Sequence, residues 1–321
     1  YLLAYSFIRN HFDSKKALGI SFFTALLFAI HPVQVETVCW ISASKIVLST
    51  FFYLSALICY IQYMRNSKWQ YLLASVVSSI LAMGCKEQSV IIVPCLLLFD
   101  WMLFKRNMRS LKVYIEKVYY LIPAIAIFIV TLVANKDTGE EIIGYTIVDR
   151  FIFLCYSVFK YLLISAIPFK LSYLYPFPFQ VGEKIPMALW IYPFVILFIG
   201  YVIYLNRRKP LLVFCTLFFI LHLLPVLHVI PLPRYVVVAD RYLYIPYIAF
   251  AIGLSILSYH LYERQRKWIL YAGFLYCSYL CVYTASYAPA WKNSDTLKEH
   301  FKEVLKKRET NLSINFKHEK Q

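Results

Sequence analysis

The sequence has no CxxC pair, no Gly/Ser-rich linker, no tandem repeat and no low-complexity block. Without CxxC pairs the usual spacing of zinc and redox sites is missing, and the eight cysteines stand mostly inside apolar runs, where they are expected to act as small hydrophobic residues. No P-loop, dinucleotide-binding turn, nucleophile elbow or zinc motif is present either. The sequence therefore indicates none of the enzyme classes that depend on these motifs.

Apolar sequence is what the chain has in abundance. Hydrophobic residues make up 61% of its 321 residues and the mean hydropathy is +0.62, whereas soluble domains are roughly half apolar. Apolar runs recur that are nearly long enough to cross a bilayer core of about 30 Å, which takes roughly 20 helical residues. Because the runs lack strand-like alternation, we predict an all-α polytopic membrane protein with about nine or ten transmembrane helices.

Charged residues bound these runs and define the predicted spans. The chain opens with a partial helix at 1–9 and shows no signal peptide or initiator Met, so we expect a fragment that lacks an N-terminal span and first outer loop. Residues 1–287 would form the transmembrane domain, and residues 288–321 an extracytoplasmic tail with a short amphipathic helix after an Asn or Ser cap. The full spans are predicted at 17–31, 45–64, 70–84, 88–104, 113–134, 188–205, 210–229, 242–258 and 268–287.

Positive charge is unevenly distributed among the loops. The formal net charge is +16, and one alternate set of loops holds fifteen basic residues against two acids. Short basic loops are typical of the cytoplasmic side, so the charge indicates membrane topology and not nucleic-acid binding. The other loops should face the periplasm or the ER lumen. Counting 151–167 as a span would break this alternation, so we predict that it lies along the outer interface or dips in and returns.

The outer loops gather ionisable side chains. In HPVQVETVCW, Pro32 should end a helix, which leaves His31 and Glu36 to face a cavity at the water–lipid boundary. Lys86 and Glu87 stand in the next outer turn. Two further loops supply Tyr175, Arg234, Asp240 and Arg241.

These residue types suit an anionic lipid headgroup. Arg241 and Arg234 could clamp a phosphate with two donors each, and Lys86 could add a compact charge. A carboxylate beside a bound phosphate can act as a general base toward a hydroxyl. The plainer interpretation is that these side chains are interfacial anchors and that Asp240 and Arg241 form a local ion pair. The outer acids form no recognisable metal-ligand set, and the use of a divalent metal stays open.

Four segments, in order, resemble the transmembrane-and-TPR O-mannosyltransferase family and its bacterial relatives: ALLFAIHPVQVETVCWISASK, MGCKEQSVIIVPCLLLFDW, KLSYLYPFP and VADRYLYIPYIAF, within roughly residues 20–250. The resemblance implies a membrane glycosyltransferase of the GT-C type, with no tightly bound cofactor. Its donor substrate would be a polyprenyl-phosphate-linked sugar, mannose first, and its acceptor a hydroxyl of a protein or glycan on the periplasmic or luminal side.

The family's motif residues carry over to this chain as His31, Glu36, Lys86, Glu87, Tyr175, Asp240 and Arg241, with Arg241 assigned to the lipid phosphate. The sequence departs from the family pattern in three places. The acidic base is expected upstream of residue 1, and Ala43-Ser-Lys-Ile46 stands where the family has Gly-Arg-x-Asp. The TPR array is missing, and KEHFKEVLKK would be its possible start.

Two other functions fit the same residues. A transporter or lipid flippase could use the basic outer face as a headgroup site, although no internal repeat is visible and the ionisable residues avoid the midplane. A non-catalytic membrane scaffold could present its outer tail to partners. The glycosyltransferase is the leading hypothesis because it accounts for all four motifs.

Overall fold

A computed structural model describes residues 1–134, 144–172, 175–228, 236–264, 266–300 and 302, and these residues are helical with no named strand. Short 3-10 turns at Pro32–Gln34, Ile41–Ala43, Glu87–Ile91, Met187–Trp190, Asp240–Leu243 and Ala288–Trp291 connect some of the α-helices. The α-helices are α1 (Leu2–Ile8), α2 (Ser14–Ile30), α3 (Val35–Cys39), α4 (Ser44–Asn66), α5 (Trp69–Cys85), α6 (Ile92–Met102), α7 (Leu111–Ala134), α8 (Ile147–Ala166), α9 (Ile191–Leu205), α10 (Pro210–Leu223), α11 (Pro246–Arg264) and α12 (Arg266–Tyr287).

The apolar runs predicted most of these helices to within a few residues. Three of the differences between the predicted and the observed helix ends lie near proline or next to the candidate site. The predicted spans 88–104 and 242–258 begin later, at Ile92 and Pro246, each after a 3-10 turn. The predicted span 210–229 ends at Leu223. Pro94 and Pro246 lie in the first turns of their helices, where a missing backbone N–H is tolerated.

In the described part of the chain, four helical segments are long and apolar enough to cross a membrane: 41–66, 111–134, 187–205 and 268–291. The pair formed by α2 and residues 32–39 is a fifth candidate and is bent by 54°. α5 and α10 are apolar but shorter. The chain is therefore an all-helical protein consistent with a membrane location. The larger number of spans, the sides of the membrane and the interfacial position of α8 stay predictions.

Small polar side chains lie at the contact between α4 and α5. The Ser49 hydroxyl donates to the Ala82 carbonyl at 2.9 Å and the Ser75 hydroxyl to the Ala56 carbonyl at 2.7 Å. Tyr120 of α7 donates to Ser75 at 2.8 Å. Small residues and interhelical hydrogen bonds of this kind hold helices together in lipid, where hydrophobic driving force is weak.

The C-terminal end of α4 meets a charged cluster, which we call the Asp100 network and define as Tyr60, Asp100, Arg106, Glu116 and Lys117. Tyr60 and Lys117 donate to the two oxygens of the fully buried Asp100, each at 2.6 Å. Arg106 forms a two-pronged pair with Glu116 at 2.5 and 3.1 Å and also contacts Asp100 at 3.4 Å. The network joins α4, α6 and α7, and its formal charges cancel.

The tail begins with a helix at 294–300. The Asn293 side chain accepts from the backbone N–H groups of Asp295 and Thr296 at 3.0 and 2.8 Å, which confirms an Asn cap. Leu297 packs on the main core and His300 contacts the ring of Tyr287. The amphipathic character of this helix is predicted from Leu297, Phe301 and Leu305 at four-residue spacing. Phe301 and Leu305 lie outside the described part of the chain.

Candidate functional site

The turn after α2 buries two of the predicted site residues. His31 adopts an extended backbone before Pro32 and ends the helix, as predicted. Its Nδ1 accepts from the backbone N–H of Val33 at 3.3 Å, and its ring packs on Tyr247 at 4.2 Å. Glu36 follows in the first turn of α3 and is fully buried. The prediction that both side chains face a cavity is therefore wrong, because neighbouring elements cover both of them.

Arg241 is held by Glu36, which lies 205 positions earlier in the chain. One Glu36 oxygen accepts from Arg241 Nη1 at 2.5 Å, and the other accepts from the backbone N–H of Arg241 at 2.8 Å. The guanidinium also lies near the rings of Trp40 and Tyr242, at 5.6 and 5.0 Å from their centroids. Trp40 in turn contacts Trp291, at 5.9 Å between ring centroids. Glu36 and the aromatic rings thus fix the position of the guanidinium.

Asp240 points away from its neighbour Arg241 and pairs with Tyr175. The Tyr175 hydroxyl donates to Asp240 Oδ1 at 2.9 Å and accepts from the backbone N–H of Ser172 at 3.2 Å. The Tyr175 carbonyl accepts from the N–H of Val237 at 3.0 Å, which ties the two loops together. The interpretation of Asp240 and Arg241 as a local ion pair is therefore wrong, because the carboxylate partner of Arg241 is Glu36.

The environment of Asp240 disfavours its ionised form. The residue is 1% exposed, and its Oδ2 finds no hydrogen-bond partner among the described residues. Burial raises the pKa of Asp240 well above its ordinary value, and the nearby Glu36 carboxylate raises it further. We name Glu36, Tyr175, Asp240 and Arg241 the Arg241 cluster. It holds two carboxyl groups for one cation.

A second cation, Lys86, lines the same small cavity as Arg241. The cavity measures about 30 Å³, enough for a water molecule. Lys86 pairs with Glu87 at 2.5 Å, and the Glu87 side chain is 43% exposed. Burial raises the pKa of Glu87, but the Lys86 ammonium, a backbone hydrogen bond and the charge of Lys45 together lower it, so the pKa lies below its ordinary value.

Polar side chains of α4 and α10, and of the turn before α6, also line the cavity. Tyr53 donates to His222 Nε2 at 2.8 Å, because His222 Nδ1 donates to the Phe218 carbonyl, also at 2.8 Å. Ser49 and Ser89 share a hydrogen bond of 2.7 Å, and Thr50 also lines the space. These residues were not predicted. The sequence did contain a signal for them, because polar side chains stand at positions 49, 50 and 53, on one face of a helix within an apolar run.

The predicted residues thus fall into three groups. Arg241 and Lys86 share the cavity, and Glu36 and Glu87 are their respective carboxylate partners. Asp240, the neighbour of Arg241 in the chain, forms a hydrogen bond with Tyr175. His31 belongs to the turn that leads to Glu36. Arg234 lies outside the described residues, so its predicted role stays a prediction.

Among the described residues no three His, Cys, Asp or Glu side chains are grouped as a metal-ion site. Comparison of the chain with protein families, with curated proteins and with solved structures finds no match.

Proposed function

We propose that this protein is a membrane glycosyltransferase, which transfers a sugar from a polyprenyl-phosphate donor to a hydroxyl of a protein or glycan on the extracytoplasmic side. One observation carries the proposal: Lys86 and Arg241, from segments far apart in sequence, face one polar cavity at the end of α4 opposite the Asp100 network. Cations converging on a partly desolvated space suit a phosphate group. A phosphate is larger than the cavity of about 30 Å³, so its binding requires the Lys86 and Arg241 side chains to move apart. The identity of the sugar and of the lipid is inferred from the resemblance of the four sequence motifs to the O-mannosyltransferase family.

The reaction requires stabilisation of a leaving phosphate. The acceptor oxygen attacks the anomeric carbon, the bond from that carbon to the phosphate oxygen breaks, and the bonding electrons leave on polyprenyl phosphate. The hydroxyl proton passes to a base. Since the leaving group gains one negative charge, Lys86 and Arg241 would lower the barrier by binding it more tightly in the transition state than in the donor.

Neither carboxylate next to these cations is proposed as that base. Glu36 is fully buried and engages Arg241 with both oxygens. Glu87 pairs with Lys86. Both are better suited to positioning a cation, so the base is sought elsewhere, and its place upstream of residue 1 stays a prediction.

The experiment must distinguish the loss of a phosphate-binding charge from a loss of protein stability. Changing Arg241 alone to Ala would leave the buried Glu36 carboxylate without its cation, which by itself costs several kcal/mol, of order 3–5. We therefore choose the double variant Glu36→Gln/Arg241→Gln, which removes both charges together, and the single variant Lys86→Gln. Lys68→Gln, at an exposed position in the α4–α5 turn, is the matched control.

The full-length protein would be expressed in membranes and supplied with radiolabelled polyprenyl-phosphate mannose and, separately, polyprenyl-phosphate glucose. We expect transfer to fall at least tenfold in each site variant and to persist in Lys68→Gln, with all proteins inserted at equal levels. Normal transfer by a well-inserted Glu36→Gln/Arg241→Gln variant would remove Arg241 from the phosphate site. No transfer from any polyprenyl-linked sugar would remove the enzymatic proposal.

A further inference from the structure

An apolar groove runs along the outside of the bundle between α6 and α10. Its volume is about 570 Å³, within the range of roughly 300–1,000 Å³ for small-molecule sites. No charged side chain is among the residues that line it. α6 contributes Pro94, Leu97 and Trp101, α10 contributes Leu217 and Leu221, and Leu224 follows directly after α10.

The groove and the cation cavity are built on the same two elements. Gln88 and Ile91, in the turn that leads into α6, line the cavity, and Pro94 and Leu98 continue at the next helical steps into the groove. Spacings of three and four residues place such positions on one face of a helix. On α10, His222 lines the cavity while its neighbour Leu221 lines the groove. A polar compartment with two cations thus adjoins an apolar one.

From this continuity we propose that the groove between α6 and α10 holds the prenyl chain of the lipid phosphate whose headgroup binds Lys86 and Arg241. The proposal rests on the proposed function for the headgroup only. From Pro94 to Trp101 the groove side of α6 extends about 10 Å, at 1.5 Å per residue. The first part of a prenyl chain would lie along this length, and the remainder would pass into the bilayer.

The groove fixes position more than it adds affinity. A prenyl chain leaving the bilayer for an apolar groove gains little hydrophobic free energy, because lipid tails are as apolar as leucine. What it loses is freedom of orientation, so the phosphate at the end of the chain is directed into the cavity. Alignment of this kind raises reaction rates by placing reacting atoms within contact distance.

The experiment uses polyprenyl phosphate that carries a photoreactive diazirine on an early isoprene unit, with the full-length protein in lipid nanodiscs. After illumination, cross-linked residues are mapped by mass spectrometry. We expect the cross-links to concentrate on the groove faces of α6 and α10. Leu221→Trp and Leu217→Trp, which fill the groove, should each reduce them at least threefold. Leu197→Trp on α9, where the side chain is 69% exposed, is the matched control and should leave them unchanged.

The outcomes separate this proposal from the proposed function. Cross-links spread evenly over the outward-facing helices, or unchanged by both groove variants, would overturn the groove assignment. Groove cross-links that persist at full strength in Lys86→Gln would overturn the link between the groove and the headgroup site. Competition by phosphatidic acid as strong as that by unlabelled polyprenyl phosphate would overturn the assignment of the groove to a prenyl chain. Groove cross-links that depend on Lys86, in a protein that transfers no sugar, would support the groove and count against the glycosyltransferase alone.

Discussion

The Asp100 network and the Arg241 cluster are both buried and charged, but their charges are matched differently. In the Asp100 network two acids face two bases, and each carboxylate oxygen accepts a hydrogen bond. The Arg241 cluster has two carboxyl groups and one guanidinium: Glu36 pairs with Arg241, Asp240 accepts from Tyr175, and Asp240 Oδ2 has no hydrogen-bond partner among the described residues. The two sites lie along one helix, since Tyr53 near the cavity and Tyr60 in the network both belong to α4.

The difference separates two roles for buried charge. A network in which all groups are paired has no capacity left for a ligand, and it holds helices in register. In the Arg241 cluster the guanidinium lines a polar cavity together with Lys86, so an anionic ligand in that cavity can reach both cations. Such an arrangement is kept at a cost in stability. We therefore expect changes in the Asp100 network to affect folding and changes around Arg241 to affect binding.

The largest effect is expected from Asp100→Ala. It removes the acceptor of Tyr60 and Lys117 and leaves a buried ammonium without its main partner, which costs about 3–5 kcal/mol. Thermal unfolding in detergent should show a large drop in Tm or a failure to accumulate. Asp13→Ala, whose carboxylate pairs with Lys16 at 3.8 Å and is 73% exposed, should cost less than about 1 kcal/mol. Equal stability of the two variants would contradict a structural role for the network.

A comparison of Arg241→Lys with Arg106→Lys comes next. Lysine keeps the charge but cannot make two parallel hydrogen bonds, and each bond to a charged group is worth about 1.5–3 kcal/mol. For Arg241→Lys the loss should appear as a roughly tenfold or larger rise in KM for the donor, with little change in Tm. For Arg106→Lys it should appear in Tm, with KM unchanged. The reverse pattern would contradict the division between the two sites.

Asp240→Asn should change the pH dependence of stability. The folded protein binds the Asp240 proton more tightly than the unfolded chain does, so this contribution is fully present below the unfolded pKa and is lost as pH rises through the folded pKa. Each unit of pKa difference is worth about 1.4 kcal/mol. Asparagine keeps an acceptor for Tyr175 without the proton. Between pH 5 and 9, Tm should therefore decline less steeply in Asp240→Asn than in the unchanged protein, and parallel curves would show that Asp240 is ionised throughout.

The smallest effect is expected from Glu87→Gln. Glu87 competes with any anion for Lys86, but its side chain is 43% exposed, and such pairs are worth at most about 1 kcal/mol. KM for the donor should fall by a factor of about two to five. Glu263→Gln, which breaks the exposed pair with Lys16 at 3.3 Å, should leave KM unchanged. An increase in KM for Glu87→Gln would mean that the carboxylate supports donor binding.

Sequence patterns captured the helices better than the site. Long apolar runs between charges predicted α4 and α7 to within two residues, because helix length in lipid is set by local composition. The pairing of Glu36 with Arg241 has no local signature, since 205 positions separate the two. Adjacency suggested an Asp240–Arg241 pair, but the 3-10 turn directs the two side chains to different partners. The wall formed by Tyr53 and His222 depends likewise on packing between distant helices.

The contacts of Trp40 with Arg241 and Trp291 allow fluorescence to report on the site. Its indole lies 5.6 Å from the Arg241 guanidinium and 5.9 Å from the ring of Trp291, at the start of the tail. Indole emission responds to nearby charge, and an anion that draws Arg241 toward the cavity would alter the field at this ring. The chain has six tryptophans, so a Trp40→Phe variant would isolate the contribution of this one. Intrinsic fluorescence could then report occupancy of the cavity by an unlabelled lipid, without any assay of turnover.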